Sequence, residues 1–494
     1  MKKIFILFPI HLFKNMDMLK NVDNIFIVEE PIYFTKYKFH KLKLAFHRAT
    51  LNKYYNDIAN KFNVSYYEYY ENYLNDIKQN DEVYFYDPVD FDLTDKIKNH
   101  SKKHKYKIIM IETLSFITKY SDLEKYYENK GHKKFMHDNS FYRWQRERLN
   151  ILTPISKNAY KLSYDDENRL KFPDTQKDIF NPKINNNIYI QEAIQYVNKH
   201  FKNNIGSLDH FIYPIDHKGA NKWLKNFIKT RFKLFGKYED AIGSKIKFGY
   251  HSVISPLLNI GLLTDKDVLD TVIKIKSKIP INSYEGFIRQ IIGWKQSMRY
   301  LYQFHYNKFY KVNYLNHTNN ISTKIWNAST GLPPIDNCIK KAYDIGYLHH
   351  IERLMVMGQF FLLTMVNPDE VFEWYISVVS IDAYQWVMYP NVYGMIMYAD
   401  AGYMMSRPYF SSSEYIKKMS DYQNDESTVM LGDGNKYKWY DIWNALYYNL
   451  INKHKHIFKK IYATARNVYH WNNKTKNEQQ HLLKIAKLYL DYLN

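Results

Sequence analysis

The first part of the chain alternates short apolar runs with longer amphipathic ones. KIFILF, NIFIVEE, SYYEYY, EVYFYDP and YKIIMIE are apolar runs of strand length. TKYKFHKLKLAFHRATLNKYYNDIANKF separates the second from the third, and DFDLTDKIKNHSKKH separates the fourth from the fifth, both with helical spacing. This alternation predicts a parallel, doubly wound sheet over residues 1–121. Residues 122–204 are polar, with KFPDTQKDIFNPKINNN as the clearest loop, and read as the connection between domains. From 205 to 494 strand patterns nearly vanish. ANKWLKNFIKTRF, EGFIRQIIGWKQSMRYLYQF and PDEVFEWYISVV carry apolar residues at helical spacing. QNDESTVMLGDGNKYK reads as a loop before a last helical group from Trp439 to Leu493. The fold class expected is an α/β N-terminal domain followed by a larger all-α domain, with no internal repeat.

A length of 494 residues suits two or three domains. No G-x-G-x-x-G or P-loop follows any strand, so the Rossmann-like sheet carries no sign of a dinucleotide cradle. Aromatic residues reach 17%, which suits planar ligands as well as cores. Seventy Lys and Arg against 50 Asp and Glu give +20, scattered along the chain. That balance favours a polyanionic partner, nucleic acid before an anionic membrane, with plain solubility as the alternative. The single cysteine, Cys338, excludes an intrachain disulfide and a cysteine-ligated cluster. It suits an intracellular, reducing compartment. KKIFILFPIHLF is too short to span a bilayer, and no longer apolar run follows, so no membrane segment is expected.

Four segments carry candidate chemistry. In YLHHIERLMVMGQF, His349 and Arg353 stand four apart and His350 and Arg353 three apart, so on a helix all three can face one cavity. A capped helix start is the plain alternative. In IDAYQWVMYPNVYGMIMYADAG, Asp382, Trp386, Asn391 and Asp400 sit among aromatics, and an acid here can pair with Arg353. In GYHSVISPLLNIGLL, His251, Ser252, Ser255 and Asn259 lie where an apolar helix begins, a place that binds phosphate or simply caps the helix. EGFIRQIIGWKQSMR brings Glu285, Arg289, Gln290 and Trp294, with Glu285 and Arg289 spaced as a surface pair.

Taken in order, HHxxR, YHSxxSPxxNxGLL, EGFIRQxxGW, DAYxWVxxPNxxGMxxYADxG and MSDY resemble the photolyase-cryptochrome family. The nearest branch is the prokaryotic one that normally carries an iron–sulfur cluster and includes (6-4) photolyases. The resemblance implies FAD bound among the C-terminal helices. It places Ser252 and Ser255 near the flavin diphosphate, with His251 and Asn259 beside them. It places Arg353 and Asp382 beside the flavin ring, with Met388 and Asn391 close to it. Glu285, Arg289 and Trp294 would lie on a helix between flavin and lesion. The reaction implied is light-driven electron transfer from reduced FAD to a UV-induced pyrimidine dimer in DNA. His350 matches the proton-donating histidine of (6-4) enzymes, with His349 as an orienting neighbour. These two are the candidate catalytic residues, and they favour the (6-4) photoproduct over the cyclobutane dimer. A cryptochrome-like blue-light receptor is the alternative. Trp326, Trp374, Tyr375, Tyr384 and Trp386 are the candidates for electron transfer during photoreduction. A monomer is expected.

Three departures from that family stand out. Cluster cysteines are missing: their positions fall near Pro334, Gln423, Glu426 and Asp441, so no iron–sulfur cluster and no other metal is expected. Trp439, Tyr440 and Trp443 are candidates to pack that region instead. Met388 stands where relatives carry an acid. Pro9, Ile10 and His11 replace a Gly-Asp-Gln, which argues against a lumazine-type antenna pigment, although Glu29 and Glu30 lie near its place.

Overall fold

The computed structural model describes residues 1–130, 140–153, 161–165 and 169–494. Each of the five apolar runs forms a strand: β1 (Lys3–Leu7), β2 (Asn24–Val28), β3 (Val64–Tyr67), β4 (Glu82–Tyr86) and β5 (Lys107–Ile111). They build one parallel sheet in the order β3-β2-β1-β4-β5, with Ile4 opposite Asn24 and Val83. Near-continuous apolar strands bury both faces of such a sheet. The order reverses between β1 and β4, and ligands of open α/β sheets bind at the carboxyl ends of strands there.

Polar residues set where the flanking helices start. His40 accepts a bond from the Leu42 backbone N–H (3.0 Å) and opens the helix Lys41–Ile58. Asp90 accepts from Leu93 N–H (3.2 Å) and opens Phe91–His104. Among the described residues, three helices lie in or run into the polar connection: Tyr120–Lys130, Ser140–Leu149 and Ile188–His200. The last packs on Lys41–Ile58, where Arg48 and Asn52 both bond Glu192 (2.7 and 2.8 Å).

The remainder is helical, apart from one hairpin. The expected loop at QNDESTVMLGDGNKYK pairs Thr428–Met430 with Lys436–Lys438, turning at Gly434 with φ +77°. Among the described residues, three helices contain a π turn: Arg289–Trp294, Glu352–Gly358 and Pro390–Ile396. The main hydrophobic core runs from the sheet into the helices, with a small separate cluster of Phe172, Ala241, Ile246 and Tyr250. Polar bonds tie the two parts as well. Leu12 N–H donates to Ile260 C=O (2.9 Å), Lys43 Nζ to Ala383 C=O (2.5 Å) and Gln385 Nε2 to Asp90 Oδ2 (2.6 Å). No helix among the described residues is long and apolar enough to cross a membrane.

Candidate functional site

A cavity of about 600 Å³ opens among the C-terminal helices, and the three π turns each contribute to its wall. A π turn widens the helix by one residue per turn and recurs at functional sites. Arg289, Gln290 and Trp294 come from the first turn, Arg353 and Leu354 from the second, and Asn391 and Met395 from the third. Met388 lines the wall from the short helix that precedes the third turn.

Asp382 is the organising acid. Its Oδ1 accepts from Arg353 Nη2 (2.8 Å), its Oδ2 from Ser255 Oγ (2.5 Å) and its backbone carbonyl from Asn259 Nδ2 (2.9 Å). Arg353 also donates through Nε to Leu348 C=O (2.6 Å). Burial works against the guanidinium charge, yet the Asp382 carboxylate outweighs it and raises the Arg353 pKa. Bonds of this charge-assisted kind contribute about 1.5–3 kcal/mol each. All four side chains line the cavity. Ser252 lines it too, with its carbonyl accepting from Trp223 Nε1 (3.0 Å). The helix begins three residues later than Ser252, at Ser255, and no side chain caps it.

Arg289 is held by both oxygens of Asp165 (2.9 and 2.6 Å) and lies 3.8 Å from Glu285. Glu285 is fully buried behind the wall, accepts from Tyr142 Oη (2.8 Å), and has its pKa raised by that burial. The spacing of a surface pair thus resolves into a wall residue and an inner support.

The histidines separate. His251 and His350 face the cavity, while His349 packs behind them with its ring stacked on His251 at 4.7 Å and 15°. Burial drives the pKa of His251 and of His349 well below the usual 6.5, which favours the neutral form of both rings. His349 Nε2 lies 3.3 Å from Glu352, whose carboxylate is held by Lys341 Nζ (2.6 Å). His350 keeps about half its side chain exposed, with Nε2 3.3 Å from Asp240. Desolvation lowers its pKa, but the bond to Asp240 outweighs this and the net shift is upward.

Of the aromatic candidates, Tyr375 and Trp386 line the cavity. Tyr375 donates to Arg353 C=O (2.5 Å), and Trp374 sits behind it edge-on, ring centres 5.1 Å apart. Phe361 packs against both, its ring centre 5.1 Å from Trp374 and 6.0 Å from Tyr375. Tyr384 is outside the wall, under Lys43 and beside His47. Trp326 is also outside it, its carbonyl accepting from Tyr343. Sequence reading missed Asp165, Asp240, Glu239 and Tyr347. The acids stand in polar stretches with no periodicity, and only the fold brings them to the wall.

At the switch point of the sheet, a second cavity of about 20 Å³ is lined by His11, Asp87, Asp90 and Trp386. That is room for about one water. His11 fills the crevice, its ring against Phe8, Phe13 and Tyr86. Glu29 is bonded by Arg48, Tyr66 and Tyr196, and Glu30 by Tyr73 and Lys96.

Around the expected cluster positions, Cys338 is buried on the same helix as Pro334. Trp439 and Trp443 are fully buried. Trp439 Nε1 donates to Asp425 C=O (3.1 Å), Asn337 bonds Tyr422 Oη (2.9 Å), and Glu426 pairs with Lys438. Tyr440 remains half-buried at the edge of this set.

Comparison with known proteins agrees with this architecture. Residues 5–213 match the family model described as deoxyribodipyrimidine photo-lyase-related protein. A (6-4) photolyase of Agrobacterium fabrum is 30% identical over 366 residues, which cover 72% of this chain and 70% of that one. The crystal structure of a bacterial class III photolyase from Agrobacterium tumefaciens aligns with TM-score 0.56 at 13% identity, covering 85% of this chain and 86% of that one. An archaeal photolyase from Sulfolobus tokodaii, solved with two FAD molecules, aligns with TM-score 0.55 at 14% identity over 92% of this chain and all of that one. At such identities the structures speak for the fold, and the (6-4) photolyase match carries the lineage: this chain belongs to the photolyase/cryptochrome family.

Proposed function

We propose that this chain is a light-dependent DNA photolyase that binds FAD in the 600 Å³ cavity and acts on UV-induced pyrimidine dimers, the (6-4) photoproduct ahead of the cyclobutane dimer. The observation that carries this reading is the half-exposed His350 sharing one cavity with the part-buried Arg353–Asp382 pair. Size and chemistry fit the cofactor: mostly apolar walls with a few converging polar groups are what a bound planar ligand needs. When bound, reduced FAD supplies the electron that light drives into the lesion.

The residues of the chain place and tune. Ser252 on the cavity wall would face a diphosphate, Ser255 gives its one hydroxyl hydrogen to Asp382 and acts through that acid, and Arg353 with Asp382 would face the polar edge of a flavin ring. Trp294 and Arg289 form the part of the wall toward the lesion. His350 donates a proton to the damaged base, and Asp240 fixes the orientation of its ring. The lesion reaches the cavity by flipping out of the duplex. A charge of +20 supplies contacts to the flanking phosphates. The switch-point crevice does not fit a lumazine-type antenna, because His11 leaves space for about one water. A single cysteine does not supply four thiolates, so the cluster of the related branch has no ligands here.

A second reading, a blue-light photoreceptor, is favoured by one observation: Met388 on the cavity wall, where an acid would tune the flavin.

The test is repair under blue light of oligonucleotides carrying one defined lesion. Wild-type protein should purify yellow and restore the two thymines of the (6-4) substrate. His350→Ala should keep its flavin and lose about 10²–10⁴ of that rate. Undiminished repair by the variant removes this role for His350. Bound flavin with neither lesion repaired favours the photoreceptor, and colourless protein ends both readings.

A further inference from the structure

We propose that His251, His349 and His350 form a site for one borderline divalent cation, of the Zn²⁺, Ni²⁺ or Co²⁺ class, in the cavity wall. One ring nitrogen from each lies within 4.8 Å of the other two. Two donors are unexplained without a ligand. His251 Nε2 and His349 Nδ1 are buried with no hydrogen-bond partner, on residues only 7% and 3% exposed. Leaving buried polar atoms unpaired costs free energy, and native structures seldom do so without a reason.

One nitrogen on each ring is already engaged. The backbone carbonyl of Glu239 accepts from His251, Glu352 faces His349 Nε2, and Asp240 faces His350 Nε2. Metal-ligating histidines have this arrangement, with the far nitrogen held by a carboxylate or carbonyl that fixes the tautomer and aims the lone pair. Three imidazoles without a carboxylate ligand select borderline transition ions over Mg²⁺ or Ca²⁺. A tetrahedral ion at about 2.0–2.1 Å from each nitrogen needs them about 3.4 Å apart. The rings therefore close by at most about 1.4 Å: His350, half exposed, swings in, and the near-parallel His251 and His349 rings tilt so that their in-plane lone pairs meet the ion. Three protein ligands leave the fourth position open to the cavity, for water or an anionic group of a bound molecule.

The site rests on the three rings alone. Its consequence rests on the proposed function: Nε2 of His350 is held by Asp240, so a cation on Nδ1 occupies the nitrogen that would carry the proton to the lesion, and occupancy switches (6-4) repair off.

The test titrates tag-free, chelator-treated full-length protein with Co²⁺, following its visible ligand-field bands, and then displaces Co²⁺ with Zn²⁺. One equivalent with intense bands of low-coordinate Co²⁺ is expected. Glu352→Gln should weaken binding about 10–100-fold, and His251→Asn and His350→Ala should abolish the bands. Wild type without stoichiometric bands, or both histidine variants binding as wild type does, overturns the site. His350 is half exposed, so its variant remains informative if His251→Asn does not fold. Zn²⁺ should also inhibit repair reversibly. Stoichiometric binding without inhibition overturns the coupling to repair, whereas metal-free protein that repairs nothing counts against the proposed function and leaves the site standing.

Discussion

Ser255 and Asn259 share one short helix with each other, Arg353 lies on another, and all three bond Asp382. The pairing of Arg353 with an acid was legible in the motifs, and Asp382 is that acid. The partners of Arg289 and His350 were not legible, because Asp165 and Asp240 are ordinary acids in polar segments until the chain folds. Asp400, from the same motif as Asp382, has a different part. Its oxygens accept from Gly402 N–H (2.9 Å) and Met404 N–H (2.7 Å), and burial pushes its pKa up from 3.8 to about 6 despite those bonds. Below pH 4 the carboxyl is protonated folded or unfolded. Between about pH 4 and 6 the folded state alone holds the proton, so this group's contribution to stability falls as pH rises, by up to about 3 kcal/mol. Asp400→Asn loses one acceptor at every pH but escapes this penalty. Its stability relative to wild type should therefore improve from pH 4 to pH 7, read as the difference in urea midpoints. A difference independent of pH would mean that Asp400 ionises normally in the fold.

The three central strands were readable because parallel strands buried on both faces are continuous apolar runs, and the half-exposed edge strands β3 and β5 because aromatic and β-branched residues fill them. The hairpin at Thr428–Lys438 was not, since three-residue strands in a polar stretch leave no period to detect. Nor were the π turns, because the inserted residue changes the hydrogen-bond ladder and not the composition. Two of these turns meet at Gly358. A Cβ there would sit 2.7 Å from the Arg353 carbonyl oxygen and 2.9 Å from Ile396 Cγ2. That carbonyl also accepts from Tyr375, so the contact couples both turns to the aromatic pair. Gly358→Ala should cost about 1–3 kcal/mol through overpacking and release flavin, measured by denaturation and by the flavin-to-protein absorbance ratio. Retention of both at wild-type levels would show that the turns do not need this close approach.

Across the whole molecule, the helices around the positions expected for cluster cysteines are packed by aromatic side chains. Trp439 is fully buried, bonds Asp425, and sets its ring against Tyr422. Trp439→Ala should therefore lower stability by about 3–5 kcal/mol in a chemical denaturation series, and a loss under 1 kcal/mol would assign that role elsewhere. The sequence by itself determined the α/β-then-helical order, the five strands, the family motifs and the absence of cluster ligands, because periodicity and residue identity are local properties of the chain. Only the tertiary structure decided that His349 turns away while His350 faces the cavity, that Glu285 supports the wall instead of lining it, and that His11 fills the switch-point crevice. Those outcomes depend on which distant side chains arrive at each nitrogen and oxygen, and sequence spacing says nothing about arrivals.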